Sequence, residues 1–253
     1  MHATEIKARF PGAFGEPDQA PSVPLGHGEA DACLHGGLRL GTLHEVFPAS
    51  SGSEASAAGF ALALARRALA DRKWLLWVRQ DFSALEYGDI HAAGLLELGL
   101  DPARVVLVRV ADAVAGLRAV GEGLDCTGIG AAILETWGHA NSLNLVASRR
   151  LALSAARCGG TAIALHFGMQ PYPSAAETRW LIEGVPPSRD DDDDWGEPLF
   201  DAALVRNRHG ACGRWIMTWN STDALFQAHS RRLAAASSDR PPEAAMEGLR
   251  QTG

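Results

Sequence analysis

The chain has 253 residues, of which 47% are hydrophobic and 21% charged, and its formal net charge is −7. This length fits one sizeable α/β domain with tails, or a domain and a half, and the negative charge argues against a broadly basic nucleic-acid surface. No apolar run is long enough to span a membrane, and no signal-peptide core is present. The four cysteines are far apart and form no metal-type pair, so we expect reduced thiols, no bound metal and a cytoplasmic location.

The chain is predicted to consist of a flexible arm, one folded domain and a disordered tail. Residues 1–30 are rich in proline, glycine and polar residues and lack a sustained period, which is typical of a loosely held N-terminal arm. Residues 31–227 carry the apolar periodic segments of a domain. Residues 228–253 combine alanine, serine, proline and charge, and are predicted to form a mobile tail.

Within the domain, short apolar strands alternate with helical segments. The predicted helices include the long one after Pro48 and segments over 89–98, 111–124 and 142–158. Five strands are predicted, the first ending near Pro48 and the others at Lys73–Val78, Arg104–Val110, Gly130–Leu134 and Thr161–Phe167. Continuous apolar strands separated by helices indicate a mostly parallel central sheet that is covered on both faces.

Beyond Gly168 the pattern changes to one of antiparallel strands that extend one edge of the sheet. The predicted strands are Glu177–Glu183, Phe200–Arg206 and Arg214–Trp219. Between the first two lies an aspartate run, Asp190–Asp194, in a proline-flanked linker, where like charges are usually solvated.

The turn between the first strand and the long helix is where a nucleotide-binding protein has its phosphate loop. That loop requires glycine, four residues, a second glycine, lysine and then serine or threonine. On this chain those positions read Phe47, Pro48 to Ser51, Gly52, Ser53 and Glu54. Only the second glycine is kept, the lysine is replaced by serine, and a carboxylate at the last position would repel a triphosphate.

The same residues match a helix-start signal. Ser51 and Glu54 have the spacing of a capping box, in which the two side chains accept hydrogen bonds from free amides of the first turn. We therefore predict a plain strand–turn–helix, with residual anion binding at the helix start as the alternative.

Seven segments, in their order along the chain, together resemble the core of RecA-type proteins and, more specifically, the ImuA family of bacterial mutagenesis proteins. They run from about Leu34 to Trp219 and read LHGGLRLGTLHEVFP, PASSGSEAS, LGLDPARVVLVRVAD, AAILETWG, SRRLALSAARCGGTAIAL, ETRWLIEGVPPS and LVRNRHGACGRW. The resemblance implies a RecA-like sheet with strand order 3-2-4-5-1 and extra strands beyond the first. It also implies a damage-induced (SOS) accessory factor of translesion synthesis.

Most catalytic residues of RecA proteins have no equivalent at the matching positions of this chain. Glu135 stands where RecA proteins end the fourth strand with a magnesium-ordering aspartate, and a solitary carboxylate is a poor magnesium site. Asp81 is the candidate for the catalytic base after the second strand, with a loop or cap carboxylate as the alternative. A phosphate-sensing polar residue would fall near His166 to Gln170. We therefore expect no ATPase activity and no cofactor.

The segment 168–178 corresponds to a DNA-contacting loop of RecA proteins. It offers Gln170 and Tyr172, with Arg179 just after it, but no basic run with interleaved aromatic residues. We expect direct DNA binding to be weak or absent.

The last hairpin is the better candidate for partner or DNA contacts. It combines cations with an aromatic residue, a mixture that is enriched at interfaces: Arg206, Arg208, Arg214 and Trp215. The alternative is an edge hairpin whose charges protect it from aggregation.

The leading interpretation is a non-catalytic RecA-like scaffold of damage-induced translesion synthesis. The resemblance implies a Y-family polymerase-like partner and an error-prone replicative-type polymerase, with RecA or a second copy as further candidates. The alternatives are a SulA-like cell-division inhibitor and, third, a RecA-like ATPase with a degenerate phosphate loop.

Overall fold

The computed structural model describes residues 20–69, 73–186 and 197–229. The segments 1–19, 70–72, 187–196 and 230–253 lie outside this part. They contain most of the predicted arm, the run Asp190–Asp194 and the predicted tail apart from its first two residues. Ala20 to Ala30, predicted as the end of the arm, contains a strand and the start of a helix. Along the described ranges, no helix is both long and apolar enough to cross a membrane.

Five parallel strands run from the middle of a nine-stranded sheet to one of its edges. They are β3 (Leu43–Pro48), β4 (Trp74–Gln80), β5 (Val105–Val110), β6 (Ile129–Trp137) and β7 (Thr161–Phe167). Their order across the sheet is β3-β7-β6-β4-β5, and each neighbouring pair is parallel. This is the predicted order 3-2-4-5-1 read from the other edge, and it confirms the RecA-like core.

Four further strands extend the sheet beyond β3. They are β8 (Thr178–Gly184), β9 (Leu199–Asn207), β10 (Gly213–Asn220) and β11 (Leu225–Ala228). β8, β9 and β10 are antiparallel to one another, as predicted, and β11 is antiparallel to β10. The parallel pairing of β8 with β3 was not predicted; it arises because the segment after β7 returns the chain to the edge of the sheet at which β3 begins. β11 was not predicted as a strand.

Helices cover both faces of the parallel strands. The helix α2 (Glu54–Ala68) packs on one face, and α5 (Ala113–Leu124) and α6 (Leu145–Cys158) pack on the other. The short helix α3 (Asp81–Tyr87) directly follows the carboxyl end of β4, and the short helix α4 (Ala92–Glu97) and a 3₁₀ turn (Pro102–Arg104) then lead the chain to the start of β5. The helix α3 was not among the predicted helices, because seven residues are too few to show a helical period.

The helix α2 is the centre of the larger core. Its residues from Phe60 to Ala65 are all buried, and the Phe60 ring lies 5.3 Å from that of Trp180 and 5.1 Å from that of Phe226. The alanines at its other buried positions let the helix approach the sheet closely. This packing joins the parallel strands to the C-terminal extension as one hydrophobic core.

A small N-terminal unit closes the end of this core. It consists of an antiparallel pair, β1 (Ser22–Val23) and β2 (Leu38–Arg39), with the helix α1 (Gly28–Cys33) between them. Leu25, Ala30 and Leu38 are fully buried against the α2 side of the sheet. Residues 20–30 are therefore part of the folded domain.

Candidate functional site

The loop between β3 and α2 lies at the carboxyl edge of the parallel strands, where RecA-like proteins place the nucleotide. Pro48 ends β3, and α2 begins at Glu54 with Ser53 as its N-cap. Ser53 makes no side-chain capping bond, and Glu54 Oε2 accepts the Gly52 amide at 2.8 Å. The predicted capping box of Ser51 and Glu54 is therefore wrong, because the helix starts two residues later than that motif requires.

A second carboxylate faces the loop from the neighbouring strand. The Ser50 hydroxyl lies 2.8 Å from both oxygens of Glu183 in β8, and 3.2 Å from the Ser53 hydroxyl. Glu54 and Glu183 thus give this loop two negative charges, and the Gly52 amide already donates to one of them. A phosphate group in the loop would meet charge repulsion and would compete with Glu54 for that amide.

Glu135 is held in a buried ion pair. It lies directly opposite Arg79 in the β4–β6 register, and Arg79 Nε donates to Glu135 Oε1 at 2.7 Å. The other oxygen accepts the Trp77 indole N–H at 2.9 Å. Burial raises the pKa of Glu135, while the Arg79 guanidinium acts in the opposite direction.

Arg79 also ties the sheet to the turn after α3. Its two remaining nitrogens donate to the Gly88 carbonyl at 2.6 Å and to the Ser83 carbonyl at 3.2 Å. No signal in the sequence identified Arg79 as the partner of Glu135, because an arginine at the end of an apolar strand usually reaches solvent.

Asp81, the candidate base, starts α3 and is largely exposed. Its nearest cation is Arg109, at 3.9 Å, and that guanidinium also binds Asp89 at 3.0 Å. These are surface ion pairs, which are weak and screened by salt. Asp81 has the environment of a surface carboxylate.

His166 lies in a buried cluster on the opposite face of the sheet from α2. Its Nδ1 is 2.9 Å from the Thr136 hydroxyl, and its ring centroid is 4.8 Å from that of Phe47. Its Nε2 is 3.4 Å from the Tyr172 hydroxyl. Burial, with a smaller effect of Arg179, lowers the pKa of His166 to about 3. The ring is therefore neutral at physiological pH.

Arg179 holds the segment that corresponds to the DNA-contacting loop. Its guanidinium pairs with the buried Glu45 of β3 at 2.7 Å, and donates to the Tyr172 carbonyl and to the Ser174 hydroxyl. Arg179 is thus used inside the protein, whereas Gln170 of this loop is exposed. Sequence reasoning missed Glu45, although one carboxylate within the apolar strand LHEVF was a possible signal for a buried ion pair.

The hairpin residues proposed for partner contacts do not form one surface. Arg214 is exposed and makes a bidentate pair with Asp201, with both distances 2.6 Å. Trp215 points to the other face, as alternation along a strand requires, and its ring lies 6.3 Å from that of Trp180. Arg206 is half-buried and Arg208 is exposed.

These positions predict effects of different size on thermal stability for two neighbouring substitutions. Arg214→Ala should lower the midpoint of thermal unfolding only slightly, because the Arg214 side chain is exposed and its bidentate pair with the partly buried Asp201 is not fully removed from solvent. Trp215→Ala should lower the midpoint, because it removes a ring that packs against the core. Circular dichroism melts of the two variants test this; equal losses in both would contradict it.

Comparison of the sequence with known proteins identifies the family of this chain. No protein-family model matches the chain. The chain is 33% identical over 247 residues to Protein ImuA of Caulobacter vibrioides, in strain NA1000 / CB15N and equally in strain CB 15. The alignment covers 91% of this chain and 96% of the relative. The chain belongs to the ImuA family. This confirms the assignment made from the ordered motifs, and the matched length includes the degenerate loop, Glu135 and the C-terminal hairpin.

Proposed function

We propose that this ImuA-family chain is a non-catalytic RecA-like accessory protein of damage-induced mutagenic translesion synthesis. Family membership supports a role in the damage-induced mutagenesis system. The absence of catalysis and the identity of the partners are our inference from the loop chemistry and from the family resemblance.

The observation that carries the non-catalytic role is the state of Glu135. Both of its carboxylate oxygens are engaged, one by Arg79 and one by Trp77, and the side chain is buried. A carboxylate that orders magnesium must present a free oxygen to the ion or to its water. The loop adds to this, because its lysine position is Ser53 and its magnesium-ligand position is Glu54.

The function then rests on contacts with other proteins. We propose a Y-family polymerase-like protein and an error-prone replicative-type polymerase as partners, with RecA or self-association as further possibilities. Direct DNA binding is expected to be weak or absent, because Arg179 is occupied by Glu45 and Arg214 by Asp201.

The test is a calorimetric titration of ATP and magnesium into the full chain, with an ATP-binding RecA protein as positive control. We expect no binding heat for this chain. Stoichiometric, magnesium-dependent binding at micromolar affinity would contradict the non-catalytic role.

The partner assignment needs its own experiment. Co-purification of the tagged chain with a co-expressed Y-family polymerase-like partner should give a stable complex by size-exclusion chromatography. Recovery of FtsZ and of no polymerase-like protein would instead favour a cell-division inhibitor.

A further inference from the structure

We propose that the pocket between α2 and α4 binds a segment of a partner protein that presents a bulky apolar side chain flanked by lysine or arginine. The inference rests on the proposed accessory function, since it names the surface through which such a protein could hold its partner. It concerns a cavity beside the degenerate phosphate loop.

The cavity has a volume of about 430 Å³ and lies at the carboxyl edge of β4 and β6. Its walls come from α2, from the turn after α3, from α4 and from the strands β4 and β7, and are mostly apolar: Ala58, Leu62, Trp77, Ile90, Leu95 and Phe167. This volume is within the range of pockets that enclose a ligand group. It is large enough for a tryptophan, phenylalanine or leucine side chain.

Two glycines, Gly59 on α2 and Gly94 on α4, line this cavity. A Cβ added at Gly94 would meet no atom within 4 Å, whereas one added at Gly59 would contact the Phe200 ring at 3.6 Å. The opposite side of the same α2 turns carries the buried Ala57, Phe60 and Ala61. The helix therefore packs fully on its core side and leaves a recess on the other.

The charge around the recess indicates the kind of occupant. Glu54 and Asp89 line it, and Glu86 lies near enough to join Glu54 in raising the pKa of the Tyr87 phenol, after the larger effect of burial. The lining guanidinium of Arg79 is neutralised by Glu135. Arg109 offsets Asp89 only in part, because that pair is exposed.

An acidic rim around an apolar recess complements a basic, apolar segment. The same charges disfavour a nucleotide, a phosphate group or a nucleic acid, each of which would meet Glu54. A second copy of this chain is also disfavoured, since each copy carries a net charge of −7. A partner segment with cations beside its apolar anchor is the occupant that these observations favour.

The groove between α5 and α6 provides an internal comparison. Its volume is about 520 Å³, but its rim mixes Arg118 and Arg150 with Glu122 and Asp125. It therefore has no clear charge preference. Gly121 lines this groove, and a Cβ added there also meets no atom within 4 Å.

The test uses two fluorescein-labelled ten-residue peptides and the full chain. One peptide has a central Trp-Leu-Leu flanked by lysines, and in the other glutamates replace the lysines. Fluorescence anisotropy should show saturable binding of the lysine peptide and binding at least about tenfold weaker for the glutamate peptide. Raising the salt concentration should weaken the binding of the lysine peptide, because screening reduces the attraction between exposed charges.

Two plug variants locate the binding. Gly94→Phe fills the proposed pocket and should reduce lysine-peptide binding at least about tenfold, with an unchanged unfolding midpoint. Gly121→Phe fills the other groove and should leave binding unchanged. The double variant Glu54→Gln, Asp89→Asn removes two rim charges without filling the pocket, and should weaken the binding of the lysine peptide several-fold. Equal binding of the two peptides, no saturable binding, or equal effects of the two plugs would overturn the proposal.

Co-purification with the Y-family polymerase-like partner separates this proposal from the proposed function. A complex that is lost in Gly94→Phe and kept in Gly121→Phe supports both. A complex that survives Gly94→Phe overturns the pocket and leaves the accessory role intact. If the unmodified chain forms no complex, the proposed partner is wrong, and the peptide measurements still decide whether the pocket binds.

Discussion

Arg79→Met is expected to destabilise the protein by about 3–5 kcal/mol, because it leaves the buried Glu135 carboxylate without its counter-ion. The guanidinium also donates to the carbonyls of Gly88 and Ser83, so the turn after α3 loses its anchor. For a protein of this size the loss corresponds to a fall of roughly 10 °C in the unfolding midpoint. Urea unfolding at pH 7.5 and calorimetry measure both quantities.

The matched control is the double variant Arg79→Met, Glu135→Gln. The glutamine has no charge to leave unpaired, and its amide oxygen can still accept the Trp77 indole N–H that Glu135 now accepts. Most of the lost stability should return. If the single and double variants are equally unstable, the loss comes from packing and from the turn, and the buried ion pair is not its cause.

The single variant should also change the pH dependence of stability. Burial raises the pKa of Glu135, and removing Arg79 raises it further. A carboxyl group with a raised folded pKa binds its proton more tightly in the folded protein than in the unfolded chain. The stability of the protein therefore falls as the pH rises from the unfolded pKa to the folded pKa. The deficit of Arg79→Met relative to the double variant should therefore shrink as the pH is lowered towards the unfolded value near 4.3.

Acid should destabilise the protein through two buried histidines. Burial lowers the pKa of His44 to about 4, and burial with Arg179 lowers that of His166 to about 3. In the unfolded chain both rings take up a proton near pH 6.5. Stability is therefore fully present above about pH 6.5 and is lost as the pH falls towards the folded values. Each histidine contributes a slope of about 1.4 kcal/mol per pH unit within that window.

Urea unfolding of wild type and two variants between pH 7 and pH 5 tests this expectation. The raised pKa values of Glu45 and Glu135 change the stability in the opposite direction as the pH falls. The quantity to compare is therefore the difference in unfolding free energy between each variant and wild type at each pH. In His44→Gln and in His166→Gln, the unfolding free energy should fall with decreasing pH by about 1.4 kcal/mol per pH unit less than in wild type. Parallel pH profiles for all three proteins would contradict the assignment, whatever the stability of the variants at pH 7.

The element order could be predicted from the sequence because a parallel sheet covered on both faces needs continuous apolar strands. The segments Thr161–Phe167 and Gly130–Leu134, in which every residue is buried, show this directly. The strand β8 looked the same as the antiparallel strands after it, because the direction of a strand leaves no mark on its own residues. The short helix α3 was missed for lack of a detectable period.

The loss of the phosphate-binding residues in the loop after β3 could also be predicted from the sequence. The replacement of the lysine position by Ser53 and of the hydroxyl position by Glu54 follows from the one-dimensional spacing alone. The true start of α2 did not follow from it, since Ser51 and Ser53 are both good N-cap residues and the choice depends on how β3 delivers the chain to the helix.

By itself, the sequence determined the alternation of apolar strands with helices and the loss of the phosphate-loop residues, because these depend on residue type and spacing. The strand order and the family followed from the resemblance of the ordered motifs. Only the tertiary structure decided what the remaining charged groups do. Arg79 meets Glu135, and Arg179 meets Glu45, across 56 and 134 residues of chain. Such pairs form where the sheet places two strands side by side, and the same placement brings α2 and α4 together around the acid-rimmed pocket.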